Sequence, residues 1–412
     1  MKKLLALSLA LLLLTTACGS GTPVPELAPI TASPAMTSPI TTTAPTTTAT
    51  PAMVPPTTMP ATEAPPEPTL PDATQRYADI RYIAWRPDRV KKPVYEAGEF
   101  NPEFIHTFTF NDSVILQGSE ALQAEVLEAG KNPGLGVRSL HAQGITGAGI
   151  RVAVLDQHFL PDHPEYEDRI IKVFDSGVGE TATPSSMHAP SVIGVLAGET
   201  TGTAPGALVY FAAVPVWLED SAYYANSLYW VIEENAKLPT HDKIRIVSVS
   251  AAPSGEYSPF TRNQDMWDEA IWAAQEAGLL VLDCSNSNAQ TGFIDAGYYD
   301  RDDPESPAKG TAGFPGRSAT VLERYLYAPA SLRTFAEQYT EGEYGYQYWS
   351  RGGNSWAVPY VAGVLAMGFQ VNPDLGNDAA TALLFETAAT GTNGGNIVDP
   401  VAFIAAVQAT LE

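Results

Sequence analysis

Four short apolar runs, separated by segments with helical spacing, constrain the fold of this chain more than any other feature. The runs are rich in β-branched residues: IRVAVLD (150–156), ALVYFAAV (207–214), IRIVSVS (244–250) and LLVLDCS (279–285). The intervening segments SAYYANSLYWVIEENAK (221–237) and NQDMWDEAIWAAQEAG (263–278) have the apolar period of helices. Strands that alternate with helices predict an α/β fold in which a mostly parallel sheet is covered on both faces. We therefore predict a three-layer α/β/α domain over residues 134–412.

The segment before this pattern, residues 72–133, carries signals of both kinds of secondary structure. The run HTFTFNDSVIL (106–116) alternates as a strand does. The run SEALQAEVLEAG (119–130) begins with serine and ends with glycine, as a short helix does. We interpret the segment as an N-terminal extension or the remnant of a propeptide.

The first 18 residues have the features of a secretory signal. Lys2 and Lys3 precede an apolar run, Leu4 to Leu14, that is too short to span a bilayer comfortably, and TTAC then ends at Cys18. This order resembles a bacterial lipoprotein signal, whose cysteine is lipidated and begins the mature chain. The resemblance implies a lipid anchor at Cys18 and a chain held on the extracellular side of a bacterial cell membrane. The alternative is an ordinary cleaved signal with an incidental cysteine.

Residues 19–71 differ in composition from everything after them. They are mostly proline, threonine and alanine, with almost no large apolar side chains. Such a segment buries too little apolar surface to fold, and its prolines favour an extended chain. We predict a disordered linker that holds the folded domain away from the membrane.

Charge and cysteine content exclude several kinds of function. The chain has 46 acidic and 23 basic residues and a net charge of -23, so nucleic-acid binding is not expected. Its two cysteines are Cys18 and Cys284, which leaves the folded part without an internal disulfide. The histidines lack metal-ligand spacing, and the acidic stretch DRDDPE (300–305) is more typical of a solvated loop than of a calcium site. We expect no metal and no other cofactor.

Three polar residues lie at positions that often carry catalytic side chains in an α/β fold. Asp156 ends the first strong strand, His188 opens the helical run HAPSVIGVLAG, and Ser355 lies at the start of the helical run in GGNSWAVPYVAG. Each alone has an ordinary interpretation as a cap or turn residue. Together they supply a nucleophile, a base and an orienting carboxylate, in the order Asp, His, Ser.

The segments around these three residues resemble the subtilisin-like serine proteases, or subtilases. GITGAGIRVAVLDQHFLPDHPEY resembles the family's aspartate motif, HAPSVIGVLAG with GTAPGALVYFAAV its histidine motif, and GNSWAVPYVAG its serine motif, GTSMATPHVAG. GGNIVDPVAFIAAV resembles its closing segment. The resemblance extends from about residue 135 to the end of the chain. It implies a subtilisin-like parallel α/β fold and a monomeric endopeptidase that acts on polypeptides by acyl transfer.

The resemblance also implies a role for each residue that matches. Ser355 would attack the peptide carbonyl, His188 would accept and return the proton, and Asp156 would orient the imidazole. Asn286 would donate to the oxyanion together with the Ser355 N–H. Extended substrate would pair with the backbone of Ser250, Ala251, Ala252 and Pro253. Many secreted relatives carry a calcium loop after the histidine motif, but the segment is short here, so that site is not carried over.

Departures from the family pattern keep a second interpretation open. Gln157 and His158 follow the aspartate, Ala189 and Pro190 follow the histidine, and Asn354 replaces the threonine before the serine. A subtilase-like domain that binds peptides or a partner without catalysis is therefore the alternative. An α/β-hydrolase esterase is disfavoured, because it needs G-x-S-x-G and the order Ser, Asp, His.

Overall fold

A computed structural model describes residues 68–84, 86, 88–179, 181, 183–285, 288–316 and 323–412. The predicted signal peptide with Cys18, the predicted linker up to residue 67, and Asn286 lie outside these ranges. The helices of the described part are α1 (Glu120–Ala129), α2 (Val137–His141), α3 (His188–Ala197), α4 (Ala222–Lys237), α5 (Gln264–Glu276), α6 (Asn354–Val371), α7 (Asn377–Glu386) and α8 (Pro400–Ala409).

The strands of the described residues fall into four sheets. They are β1 (Val94–Tyr95), β2 (Thr109–Asn111), β3 (Ile115–Leu116), β4 (Arg151–Asp156), β5 (Ile170–Asp175), β6 (Leu208–Ala213), β7 (Ile244–Val249), β8 (Leu280–Leu282), β9 (Ile294–Tyr298), β10 (Thr311–Ala312), β11 (Leu326–Pro329), β12 (Arg333–Thr340), β13 (Glu343–Trp349), β14 (Ala389–Thr390) and β15 (Asn396–Ile397).

The central sheet has the order β5-β6-β4-β7-β8, and every pair in it is parallel. The four apolar runs of the sequence form β4, β6, β7 and β8, which confirms the predicted parallel α/β fold. Strand β5 was not predicted. It lies at the edge of the sheet, and most of its side chains are exposed or half-buried, so its sequence lacks the continuous apolar character of a buried strand.

Both faces of the central sheet are covered by helices. Along β4, Val152 and Val154 pack into the core that holds α3 and α6. Ala153 and Leu155 point the other way, into the core that holds α4 and α5. Because alternate side chains of a strand face opposite sides, burial on both faces requires the uninterrupted apolar runs seen in the sequence.

The N-terminal part joins a different sheet. Strand β2 pairs antiparallel with β13, the second strand of the β12–β13 hairpin. The predicted strand over residues 106–116 is divided into β2 and β3 by a turn at Asn111, whose carbonyl accepts from the Val114 N–H at 3.0 Å. The predicted helix is present as α1 and ends at Gly130, where a Cβ atom would lie 2.4 Å from the Thr334 hydroxyl.

The remaining strands form a mixed sheet with the order β10-β9-β11-β15-β14. It packs near the start of α6, which contacts both β9 and β11. Among the described residues, no helix is both long and apolar enough to cross a membrane.

Candidate active site

Four of the predicted site residues, Asp156, His188, Ser250 and Ser355, lie together at the carboxyl edge of the central sheet. Asp156 is the last residue of β4, and Ser250 directly follows β7, the neighbouring parallel strand. Helices α3 and α6 pack over this sheet, and each carries a predicted residue in its first turn, His188 and Ser355. The carboxyl ends of parallel strands are where open α/β sheets bind ligands.

Asp156 and His188 form a hydrogen-bonded pair. The distance from Asp156 Oδ1 to His188 Nδ1 is 2.7 Å, and the two side chains are 3% and 20% exposed. The Gln157 N–H also donates to Asp156 Oδ1, at 2.7 Å. A carboxylate that accepts at Nδ1 places the proton of a neutral imidazole there, which leaves Nε2 free to take a proton.

Local capping places His188 at the first position of α3. The Ser186 hydroxyl accepts from the His188 and Ala189 N–H groups at 3.2 and 3.3 Å. Pro190 is buried in the first turn, where the N–H that proline lacks would have no helical partner. The Ala-Pro pair that departs from the family pattern is thus compatible with this helix start.

Ser355 is held against the end of β7. Its hydroxyl donates to the Ser250 carbonyl at 3.3 Å, and the Ser250 hydroxyl donates to the Ser355 carbonyl at 2.8 Å. Within the described residues no hydrogen bond joins Ser355 to His188. In unliganded sites such bonds are often long and form when substrate binds.

The turn before Ser355 requires a glycine. Gly352 has φ +74°, and a Cβ atom there would lie 2.1 Å from the Ala330 carbonyl oxygen. The turn leads into α6, whose first residue is Asn354. Among the described residues no acceptor binds the Ser355 N–H, which leaves this first-turn donor available to an anion.

Asn354, a departure from the family pattern, ties the start of α6 to β9. Its side-chain oxygen accepts from the Ala296 N–H at 3.2 Å. Burial raises the pKa of Asp295, and a hydrogen bond with the Asn354 side chain partly opposes that rise. An asparagine can bond both groups, because its amide carries a donor and an acceptor.

The sequence did not reveal an aromatic cluster behind His188. The Trp356 ring lies 5.0 Å from the His188 ring, and Phe335 and Trp349 pack on Trp356 at 4.6 and 5.4 Å between ring centroids. Trp356 is buried. It occupies the position after the serine, where the family motif has methionine, and that exchange was the only signal for the cluster.

The predicted substrate-binding residues follow β7 and are each bonded to a neighbouring segment. The Ala251 carbonyl accepts from the Cys284 N–H at 2.9 Å, and the Ala252 carbonyl accepts from the Ser258 hydroxyl at 2.7 Å. The Pro253 carbonyl accepts from the Ser221 hydroxyl at 2.5 Å. These contacts fix the backbone of residues 250–253 beside Ser355.

The predicted oxyanion donor, Asn286, lies outside the described residues, but its flanks are described. Asp283 is buried and accepts from the Ser285 N–H at 2.9 Å and from Trp267 Nε1 at 3.2 Å. Burial raises the pKa of its carboxyl to about 6. Asn288 accepts from the Gln290 N–H at 3.0 Å, as an asparagine in a turn does.

The turn after α3 is organised by a buried carboxylate. Glu165 accepts from the Thr200 N–H at 2.9 Å, from the Thr201 N–H at 3.2 Å and from the Tyr346 hydroxyl at 2.8 Å. The Thr200 and Thr201 hydroxyls donate to it as well. The carboxylate therefore faces donors of the protein, and this arrangement does not suit a calcium ion, which needs oxygen acceptors.

Replacement of Glu165 by glutamine should lower the melting temperature near pH 7, because the new amide nitrogen would face protein donors. The expected loss is about 1–3 kcal/mol. Burial opposes ionisation, but the hydrogen bonds prevail and lower the pKa of Glu165 below its ordinary 4.5. Its stabilisation is then complete above pH 4.5 and is lost as pH falls through the folded pKa. Thermal melts of both proteins from pH 7 to pH 3.5 should show a difference in melting temperature that narrows as the pH falls.

EDTA provides the control for a metal in this experiment. In the described part of the chain no group of three or more His, Cys, Asp or Glu side chains is placed to hold a metal ion. We expect EDTA to leave both melting temperatures unchanged. A drop of more than about 10 °C would contradict the prediction that no metal stabilises the fold, because a bound ligand raises stability by mass action.

Comparison with known proteins agrees with the fold and with the sequence motifs. The family model described as the subtilase family matches residues 147–400. The subtilisin-like protease PopC of Myxococcus xanthus is 25% identical over 277 residues, which are 58% of this chain and 55% of that protein. The serine protease AprX of Bacillus subtilis is 29% identical over 280 residues, which are 59% of this chain and 62% of that protein.

A solved structure supports the same fold. The subtilase cytotoxin SubAB structure has a TM-score of 0.52 at 16% identity and covers 68% of this chain and 96% of that one. At this identity the likeness shows the fold alone. The chain spans less than two thirds of the length of the two curated relatives described above. The family model, however, matches more than half of this chain, and the protein therefore belongs to the subtilase family.

Proposed function

We propose that this protein is a cell-surface serine endopeptidase that hydrolyses peptide bonds through an acyl-enzyme on Ser355. The observation that carries the proposal is the 2.7 Å pair of Asp156 and His188 at the same sheet edge as Ser355, in a chain of the subtilase family. Serine proteases among its relatives support the reaction class. Hydrolysis of casein by the purified protein, blocked by a fluorophosphonate, is the experiment that tests it.

In the first half of the reaction, the Ser355 hydroxyl oxygen bonds to the substrate carbonyl carbon and its proton passes to His188 Nε2. Asp156 stabilises the imidazolium that results. His188 then gives the proton to the amide nitrogen, the C–N bond breaks, and the amine leaves. A water molecule attacks the acyl-enzyme in the same way, with His188 as base, and releases the acid and the Ser355 hydroxyl.

Two donors would bind the oxyanion of the tetrahedral intermediate. One is the Ser355 N–H in the first turn of α6, and the other is the Asn286 side chain. Donors fixed before the reaction stabilise the charge that develops in the transition state more than the neutral carbonyl of the substrate. This difference is what lowers the barrier.

Substrate would bind as an extended strand along residues 250–253. The backbone there is fixed by bonds to Cys284, Ser258 and Ser221. Main-chain pairing suits a protease that accepts many sequences, because it reads the backbone of the substrate rather than its side chains. The Ala252 carbonyl already accepts from the Ser258 hydroxyl. To accept from a substrate N–H as well, it would have to be shared between the two donors or released by Ser258.

A lipid anchor on Cys18 would place the enzyme at the cell surface, with the linker as a tether. Replacement of Cys18 by alanine should move the protein from the membrane fraction to the medium, or leave unprocessed precursor, because the acyl chains are lost. Cell fractionation with immunoblotting measures this. An unchanged amount in the membrane fraction would refute lipidation at this residue.

One observation favours the second candidate, a non-catalytic domain that binds peptides. The Ser355 hydroxyl donates to the Ser250 carbonyl, not to His188, in the described structure. In this alternative the backbone of residues 250–253 would still pair with an extended peptide. Peptide binding without hydrolysis, and without reaction with a fluorophosphonate, would favour it.

A further inference from the structure

A buried arginine of the N-terminal extension is joined to the helix that carries His188. Arg81 is 6% exposed and forms two hydrogen bonds to Asp79, from Nε at 3.0 Å and from Nη2 at 2.8 Å. Its remaining nitrogen, Nη1, donates to Gln347 Oε1 on β13 at 2.7 Å. The pairing with Asp79 offsets the cost of burying the charge and fixes the direction of Nη1.

The hydrogen-bonded path continues into α3. Gln347 Nε2 donates to the Ser191 hydroxyl at 2.9 Å. Ser191 lies one turn after His188, and its hydroxyl has the Met187 carbonyl at 2.9 Å and the Ala336 carbonyl at 3.0 Å as acceptors. The path therefore ends at the carbonyl of Met187, the residue directly before His188.

A second path from Arg81 runs through aromatic rings. The Arg81 guanidinium lies 4.2 Å from the centroid of the Trp349 ring. Trp349 packs on Trp356, which in turn packs against the His188 ring at 5.0 Å. A guanidinium over an aromatic face is attracted to it, so Arg81 also fixes the outer end of this stack.

The extension that carries Arg81 is built into the fold over a wide area. β2 pairs with β13 through three residue pairs, and Phe108 and Phe110 are fully buried in a core that includes Tyr348 of β13. Asn111 Nδ2 donates to Glu337 Oε2 at 2.8 Å on β12. Burial raises the pKa of Glu337 to about 7. Loss of the extension would uncover these aromatic rings and leave Glu337 without its Asn111 and Arg81 neighbours.

We propose that residues 72–133 stay attached in the working protein instead of leaving as a propeptide, and that Arg81 is a positioning residue for His188. Arg81 acts through the Gln347–Ser191 hydrogen bonds and through the Trp349–Trp356 stack. The proposal rests on the proposed function in one respect, that the imidazole of His188 is the base of the reaction.

The test compares two arginines of the same extension in the full-length protein. Arg81→Met removes the buried guanidinium, and Arg81→Lys keeps only the charge. Arg86→Met is the matched control, because Arg86 also forms a two-bond pair with an aspartate, Asp88, but at the surface, where the two side chains are 48% and 36% exposed.

The first measurement does not depend on activity. The proton shared by His188 Nδ1 and Asp156 should give a strongly deshielded NMR resonance, which reports the geometry of that pair. It should shift or broaden in Arg81→Met, recover in part in Arg81→Lys, and stay unchanged in Arg86→Met. An unchanged resonance in a folded Arg81→Met protein overturns the positioning role, whether or not the protein is a protease.

Kinetics supply the second measurement. In Arg81→Met we expect kcat to fall by roughly ten- to hundredfold with KM little changed, since a small displacement of a reacting group has effects of this size. If Arg81→Met does not fold, Ser191→Ala becomes the deciding variant, with the same expectations and the same overturning result.

The mass of the mature protein tests retention of the extension. The species that a fluorophosphonate labels should begin before Ala73. If no species is labelled, the same is expected of the folded species that melts cooperatively. A labelled or cooperatively folded species that begins after residue 133 would overturn the proposal.

Discussion

Replacement of Ser355 by alanine should abolish hydrolysis of casein while leaving the fold intact. The methyl group cannot form the acyl-enzyme, so only the much slower attack by water, aided by the remaining oxyanion donors, is left. We expect kcat to fall by roughly 10⁶-fold, as it does when the triad serine of subtilisin is removed. The Ser250 carbonyl loses one long hydrogen bond of 3.3 Å, so the change in melting temperature should be small.

Ser139→Ala is the matched control for this experiment. Ser139 is an exposed serine on α2 whose hydroxyl donates to the Gly136 carbonyl at 2.7 Å. Its replacement should leave casein hydrolysis unchanged. Hydrolysis that persists in a homogeneous preparation of Ser355→Ala would show that another group is the nucleophile.

Replacement of Asn286 by alanine should lower kcat by about a hundredfold or more with little change in KM. A donor that acts only in the transition state affects kcat, and loss of one oxyanion donor costs roughly 2.7–4 kcal/mol in subtilisin. Asn286 comes two residues after Cys284, whose N–H donates to the Ala251 carbonyl. That bond joins the chain just before Asn286 to the predicted substrate-binding residues 250–253. Steady-state kinetics on a peptide substrate measure the effect.

Asn288→Ala is the matched control for the oxyanion. Its side chain bonds to the Gln290 N–H within a turn, so its loss should change kcat by no more than about threefold. The opposite pattern, a large effect at Asn288 and a small one at Asn286, would show that the segment aligns differently with the family motif.

The parallel sheet was predictable because its inner strands are buried on both faces. Val152, Ala153, Val154 and Leu155 are all fully buried, so the chain needs apolar residues at every position there. The edge strand β5 and the pairing of β2 with β13 were not predictable. The first has exposed side chains, and the second joins residues 109–111 to residues 347–349, far apart in sequence.

At the site, the sequence indicated the candidate residues but not the side chains that pack on them or bond to them. The order of Asp156, His188 and Ser355 came with family motifs, and the structure brings the first two within hydrogen-bond distance. The packing of Trp356 on His188 depends on tertiary contacts that leave no periodic pattern in the sequence. The same holds for Arg81, whose partners Gln347 and Trp349 lie on the β12–β13 hairpin.

The central claim is that Ser355 is a nucleophile activated by His188 and Asp156. Labelling of the purified full-length protein with a fluorophosphonate probe, followed by peptide mass mapping, tests it most directly. We predict a single labelled peptide that carries the probe on Ser355, and no labelling in His188→Ala. Absence of labelling in the wild-type protein, or a probe located on another residue, would contradict the claim.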